Sequence, residues 1–163
     1  MRIRHLLAGA ALLAFAAPAW AQSTPVSFSP EFQTALEEDY GVREGEVLRA
    51  AVTDAIAREL SRRGVSPGSA NIEVTIVDAE PNRPTMQQLF DEPGLDFSSI
   101  SIGGAELRAV VRSASGGSTE VTHSRYNHSL SDLAGAATTW TEARRSIRQF
   151  AVKVADAYIA TPR

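Results

Sequence analysis

Apolar and polar positions alternate in two rhythms along this chain, and the changes of rhythm mark out its elements. Val47, Leu48, Ala51, Val52, Ala55, Ile56 and Leu60 recur every three or four residues, the spacing of one helical face, while Arg49, Thr53, Asp54, Arg58, Ser61 and Arg62 fill the remainder. Gly64, after Arg62-Arg63, predicts the stop, because glycine takes the left-handed conformation cheaply and cations suit the negative helix end. Ser66-Pro67-Gly68-Ser69 predicts a turn. A period of two then sets Ile72, Val74 and Ile76 against Glu73 and Thr75, a strand over 71–77, and later sets Ala105, Leu107, Ala109 and Val111 against Glu106, Arg108 and Arg112. Ser115-Gly116-Gly117-Ser118 reads as a hairpin turn. The return strand, 120–128, alternates Thr122, Ser124 and Tyr126 with Val121, His123 and Arg125, and its poverty in apolar residues places it toward an edge. The helical rhythm returns at Ala143, Ile147, Phe150, Ala151, Val154 and Tyr158, behind a Thr139-Trp140-Thr141-Glu142 segment that fits a capping box.

Near the start, Val26 and Phe28 alternate with Ser27 and Ser29 as a short strand would, and Pro30 ends it. Glu31 to Tyr40 reads as a connector with some helix, its Glu37-Glu38-Asp39 run facing water. Together these elements predict an α+β fold: a two-layer sandwich with two long helices on one face of a small, mainly antiparallel sheet of about four strands. Burying one large apolar side chain stabilises by ~1.5–3 kcal/mol, and the two helical stripes supply over a dozen apolar residues. That is enough for a single core. One segment, 78–101, is longer than such a scaffold requires, since connections usually run about 4–6 residues. It contains Pro81-Asn82-Arg83-Pro84-Thr85, a helical turn over 86–90, and Asp91-Glu92-Pro93-Gly94-Leu95-Asp96. Met86, Leu89, Phe90, Leu95 and Phe97 predict that it folds back and buries them.

The first 21 residues have a different logic. A basic start, Met1-Arg2-Ile3-Arg4-His5, precedes an apolar run from Leu6 to Ala17 and the small residues of Ala19-Trp20-Ala21, the tripartite pattern of a cleavable secretory signal. The run is about 12 residues, where a membrane-spanning helix needs ~20. The expected division is a signal peptide over 1–21 and one α+β domain over 22–163, with no transmembrane segment after leader cleavage. Loss of Arg2 and Arg4 takes the formal charge from -3 to -5. The chain has no cysteine, so disulfides, thiolate metal sites and a lipid anchor on an N-terminal cysteine are excluded chemically. An alanine-rich leader without disulfides points to a Gram-negative periplasm.

The stretches Asp78-Ala79-Glu80-Pro81-Asn82-Arg83-Pro84-Thr85, Pro93-Gly94-Leu95-Asp96 and Ser101-Ile102-Gly103-Gly104-Ala105 resemble those of small exported Gram-negative bacterial proteins of unknown function. That resemblance implies export and no particular activity. In pattern alone, the chain is also similar to accessory lipoproteins of envelope assembly of the curli-secretion type, though it lacks their lipidated cysteine.

Catalytic and cofactor signatures are weak. His123 and His128, five apart on one strand, point to opposite faces. No Gly-x-Ser-x-Gly elbow accompanies Ser124. Gly103-Gly104 and Gly116-Gly117 lack the strand-to-helix context of phosphate-binding loops and read as strand and hairpin glycines. No cofactor and no metal are expected. The arginines carry more: Arg144, Arg145 and Arg148 share the exposed side of the last helix, and Arg58, Arg62 and Arg63 cluster at the end of the first. Side by side, these helices would present a basic surface to an anionic envelope component or an acidic partner. Nucleic acid is not expected as a partner, because no aromatic residues are interleaved with these arginines. The favoured function is a noncatalytic, periplasmic binding or envelope-assembly protein with contacts at Asn82, Arg83, Arg125, Tyr126, Arg144, Arg145 and Arg148. The alternative is a small hydrolase using Asp78, Asp96, His123 or His128 under the 78–101 loop.

Overall fold

The computed structural model describes residues 24–112, 117–129 and 138–160. The expected leader and residues 115–116 of the predicted 115–118 hairpin turn lie outside them. The chain is α+β, with a four-stranded mixed sheet. In order it forms β1 (Val26–Phe28), α1 (Pro30–Ala35), a π-helical turn (Leu36–Tyr40), α2 (Val42–Arg62), a 3-10 turn (Pro67–Ser69), β2 (Asn71–Glu80), α3 (Met86–Asp91), β3 (Gly104–Arg112), β4 (Ser118–Tyr126) and α4 (Thr141–Ala160). The strands lie in chain order, β2 with β3 and β3 with β4 antiparallel. β1 runs parallel to β2, pairing Val26 with Val74 and Phe28 with Ile76.

One face of the sheet carries Ile72, Val74, Ile76, Ala79, Ala105, Leu107, Ala109, Val111 and Val121, all buried. Against them α2 sets Leu48, Val52, Ala55, Ile56 and Leu60, and α4 sets Ala143, Ile147, Phe150, Ala151 and Val154. The two helices run in the same direction, with Trp140 Nε1 donating to Glu44 Oε2 near their starts (2.6 Å) and Arg63 meeting Asp156 near their ends (2.7 Å). Val47 and Tyr158 fall outside the fully buried set: Val47 is 38% exposed and Tyr158 half-buried. Arg49 fastens β1 to α2, donating to the Val26 carbonyl at 3.0 Å and lying 4.5 Å from the Phe28 ring centre.

β2 contains a bulge. Its partners step from Ile76↔Leu107 to Asp78↔Glu106, leaving Val77 without a rung. The extra residue changes the parity of the strand: Ile76 and Ala79 both face the helices, while Asp78 faces the opposite side. Ser29 braces the bulge, its N–H donating to the Ile76 carbonyl (3.0 Å) and its Oγ to that of Val77 (2.7 Å).

Two expectations are corrected. The segment after β2 is hydrogen-bonded at its base, yet Met86 (55% exposed), Phe90 (81%), Phe97 (73%) and Leu95 point into solvent rather than into the core. The capping box at Thr139 does not form. The Glu142 carboxylate is held by Arg125 and Arg145 instead, and the Glu142 N–H donates to Asn82 Oδ1 at 2.8 Å, so a residue 60 positions away caps α4.

Candidate functional site

The excursion from β2 to β3 is anchored through Asn82, which is completely buried. Its N–H donates to the Thr139 carbonyl (2.7 Å), its carbonyl accepts from the Ser101 N–H (3.0 Å), its Nδ2 donates to the Ser101 carbonyl (3.3 Å), and its Oδ1 caps α4. Asn127 reinforces the other side, accepting from the Gly103 N–H at 2.8 Å and donating its own N–H to the Gly103 carbonyl at 3.1 Å. Beyond this base, Thr85 and Gln88 make the capping box that starts α3. Arg83 reaches over to the Phe97 carbonyl (3.0 Å). Asp96 accepts from the backbone and hydroxyl of Ser98 and the backbone of Ser99, which hold its carboxyl below the usual range. The scaffold is tied down and its apolar side chains face out. A hollow of about 750 Å³ lies beside it, between α3 and the first turns of α2, lined by Tyr40, Val42, Val47 and Met86 with Arg43, Glu44 and Glu46.

The second arrangement lies farther along α2. Arg58 and Arg62, four apart on α2, and Arg145 and Arg148, three apart on α4, line one groove of about 470 Å³ whose apolar wall is Ala55, Ala151 and Val152. The only carboxylate in this lining is Glu59, and it is shared by Arg62 and Arg63, both at 2.6 Å. Arg145 Nη1 lies 2.9 Å from Glu142 Oε1, while the other Glu142 oxygen binds Arg125 at 2.7 Å. Among the described residues Arg58 and Arg148 have no ion-pair partner. Arg144 is exposed on α4 but does not line the groove.

The residues weighed for hydrolysis are not brought together. Asp78 faces the open side of the sheet, its Oδ2 accepting from the Tyr126 hydroxyl at 2.5 Å. Burial, then the Asp78 hydrogen bond and charge, drive the Tyr126 phenol far above its ordinary range. Burial and the Asp78 charge also raise the Glu80 carboxyl, and burial followed by Asp78, Glu80 and Asp39 raises the Tyr40 phenol. His123 stands on the opposite, helix-covered face, paired with Leu107. Its Nδ1 is 3.0 Å from Lys153 Nζ and its Nε2 is buried without a partner. Burial, with Lys153 and Arg125 nearby, pushes the ring below its usual pKa. Asp96 and His128 are elsewhere on the surface. Among the described residues no group of three or more His, Asp or Glu is arranged to hold a metal.

The sites expected from sequence therefore divide. Asn82 is a buried anchor, Arg83 supports the excursion, Tyr126 is engaged with Asp78, and Arg125 is bound to buried Glu142. Arg145 and Arg148 meet Arg58 and Arg62 in the groove. Phe90 and Phe97 as exposed surface were missed, because apolar character alone argues for burial. Set against protein-family models, curated proteins and solved structures, the chain matches none.

Proposed function

We propose that the protein is an exported, noncatalytic accessory of the bacterial cell envelope that docks a partner protein on the 78–101 excursion. The observation that carries this reading is the exposure of Phe90, Phe97 and Met86 on a segment whose base is pinned by buried hydrogen bonds. Exposed apolar side chains on a rigid support are a common form of protein-recognition surface. Charge selects the partner. Asp91, Glu92 and Asp96 accompany these side chains, Glu44 and Glu46 outnumber Arg43 in the adjoining hollow, and Arg83 is the only cation in the sequence between Arg63 and Arg108. The occupant is an envelope protein with an apolar hollow and a basic rim; an anionic membrane surface would repel this segment.

The basic start, apolar run and Ala19-Trp20-Ala21 of the leader support export to the periplasm, as does the motif resemblance to small exported proteins. Among the described residues no helix is long and apolar enough to cross a membrane. In this reading α2 and α4 form one layer of a two-layer sandwich, and the excursion projects from the end of it nearest the start of α2.

The test is photo-crosslinking in the exporting cell, with the reactive amino acid at Phe90 or Phe97 and, as control, at exposed Asp54. The expected result is a discrete adduct with another protein from the first two positions, none from the third, and its loss when Asp91→Lys and Glu92→Lys are added. Absence of an adduct, an adduct unaffected by charge reversal, or a product containing only this chain overturns the proposal.

A further inference from the structure

The arginine groove lies apart from the docking surface, toward the other end of α2, and has its own chemistry. Its lining holds four arginines and a single acidic residue on a chain whose formal charge is -3. Like charges four apart on a helix, as Arg58 and Arg62 are, repel each other. The local carboxylates relieve only part of this: Glu59 is divided between Arg62 and Arg63, and Glu142 between Arg145 and Arg125. Arg58 on one wall and Arg148 on the other are left with their donors uncommitted among the described residues. The wall between them is Ala55, Ala151 and Val152, and Gln149 is the one neutral polar side chain of the lining.

We infer that this groove binds a phosphate-bearing anion that bridges α2 and α4, with Arg58 and Arg148 as its principal ligands and Arg62 and Arg145 completing the cradle. A guanidinium offers a planar fork of N–H donors that matches two phosphate oxygens at once. Pairs of arginines on two facing helices suit a ligand with more than one phosphate, or phosphates presented side by side. Two sources supply that chemistry: a soluble oligophosphate or phosphate ester, and the headgroups of an anionic phospholipid surface. A ligand of either kind relieves the repulsion within the groove, so binding and helix pairing reinforce each other.

Calorimetric titration of the mature chain at low salt, with pyrophosphate as probe and citrate as a phosphate-free anion of comparable charge, tests the site. Co-sedimentation with phosphatidylglycerol vesicles, set against phosphatidylcholine vesicles, separates the sources. Saturable pyrophosphate binding is expected, weakened at least tenfold in Arg58→Gln/Arg148→Gln and changed less than twofold in Arg43→Gln, which alters an exposed arginine outside the groove. Both groove substitutions are at sites without ion pairs, and an unchanged unfolding midpoint confirms that the fold is retained. Vesicle binding that pyrophosphate competes away assigns the headgroup source; pyrophosphate binding without vesicle binding assigns the soluble one. The inference is overturned by absence of binding to both probes, by equal affinity for citrate, or by wild-type affinity in the double variant.

Discussion

Glu142 joins the folding of α4 to the charge of the groove, and Glu142→Gln separates the two effects by sign. The carboxylate side chain is 3% exposed and accepts from Arg125 at 2.7 Å and Arg145 at 2.9 Å, arginines that are 31% and 46% exposed. Hydrogen bonds to charged groups contribute about 1.5–3 kcal/mol each. Solvent at the arginine ends screens part of this, and glutamine retains one acceptor, so the expected loss is about 2 kcal/mol for the pair. In a chain of this size that lowers Tm by about 4–8 °C. At the same time Arg145 loses its competing anion. With that negative charge removed from beside Arg145, affinity for a phosphate anion in the groove is expected to rise by roughly threefold or more. Urea and thermal unfolding measure the first effect and pyrophosphate calorimetry the second. A Tm within 1 °C of wild type refutes the role given to the buried ion pair. A destabilised variant whose affinity is unchanged or reduced refutes the electrostatic link between Glu142 and the groove.

Acid should weaken the domain through His123. Because its folded pKa is lowered from 6.5, the unfolded chain takes the proton first, so the stability contributed by the neutral ring is complete above about pH 6.5 and declines as pH falls below it. Urea midpoints measured from pH 7.5 to pH 5 should fall less steeply in His123→Gln. Gly104→Ala sets a Cβ 2.6 Å from the Tyr126 Cα, a clash with backbone that cannot rotate away; a loss of more than about 2 kcal/mol by denaturant unfolding is expected. Tyr126→Phe removes the hydroxyl that Asp78 accepts from, and a loss of about 1.5 kcal/mol by denaturant unfolding is expected. Intact mass of the protein recovered from the periplasmic fraction should correspond to a chain beginning at Gln22; recovery of the uncleaved chain alone would count against export by signal cleavage.

Local rhythm made much of the scaffold legible. The period-two runs around Val74 and Leu107 and the helical stripes of Leu48–Leu60 and Ile147–Val154 appear where they were expected, because each repeats over enough residues to define a face. What escaped depends on relations between distant segments. The Thr139 to Glu142 spacing permits a capping box, but Arg125 on the adjoining strand competes for the carboxylate and Asn82 supplies the cap, and neither is visible within a four-residue window. The parallel pairing of β1 leaves no mark in three alternating residues. Apolar side chains between 86 and 97 signal burial only if the excursion has a free core surface to reach, and α2 and α4 already occupy it. The arginine faces were readable from spacing, whereas the groove they share depends on how the two helices pack side by side. The chemistry at Arg58 and Arg62 thus emerges only when helix orientation is known.

Val77 carries a consequence of another kind. β2 has ten residues but nine rungs to β3, so one residue spends its length turning the strand rather than extending the ladder. Everything from Asp78 to Ser101 issues from the strand after that turn, and through Asn82 the same stretch caps α4, one of the two helices that build the arginine groove. The two surfaces therefore share one anchor, and a change of chain length at Val77 acts on both through Asn82. Removing Val77 would leave Ile76, Asp78 and Ala79 in plain alternation, with the core unchanged in composition, and would take away the carbonyl to which the Ser29 hydroxyl is bound.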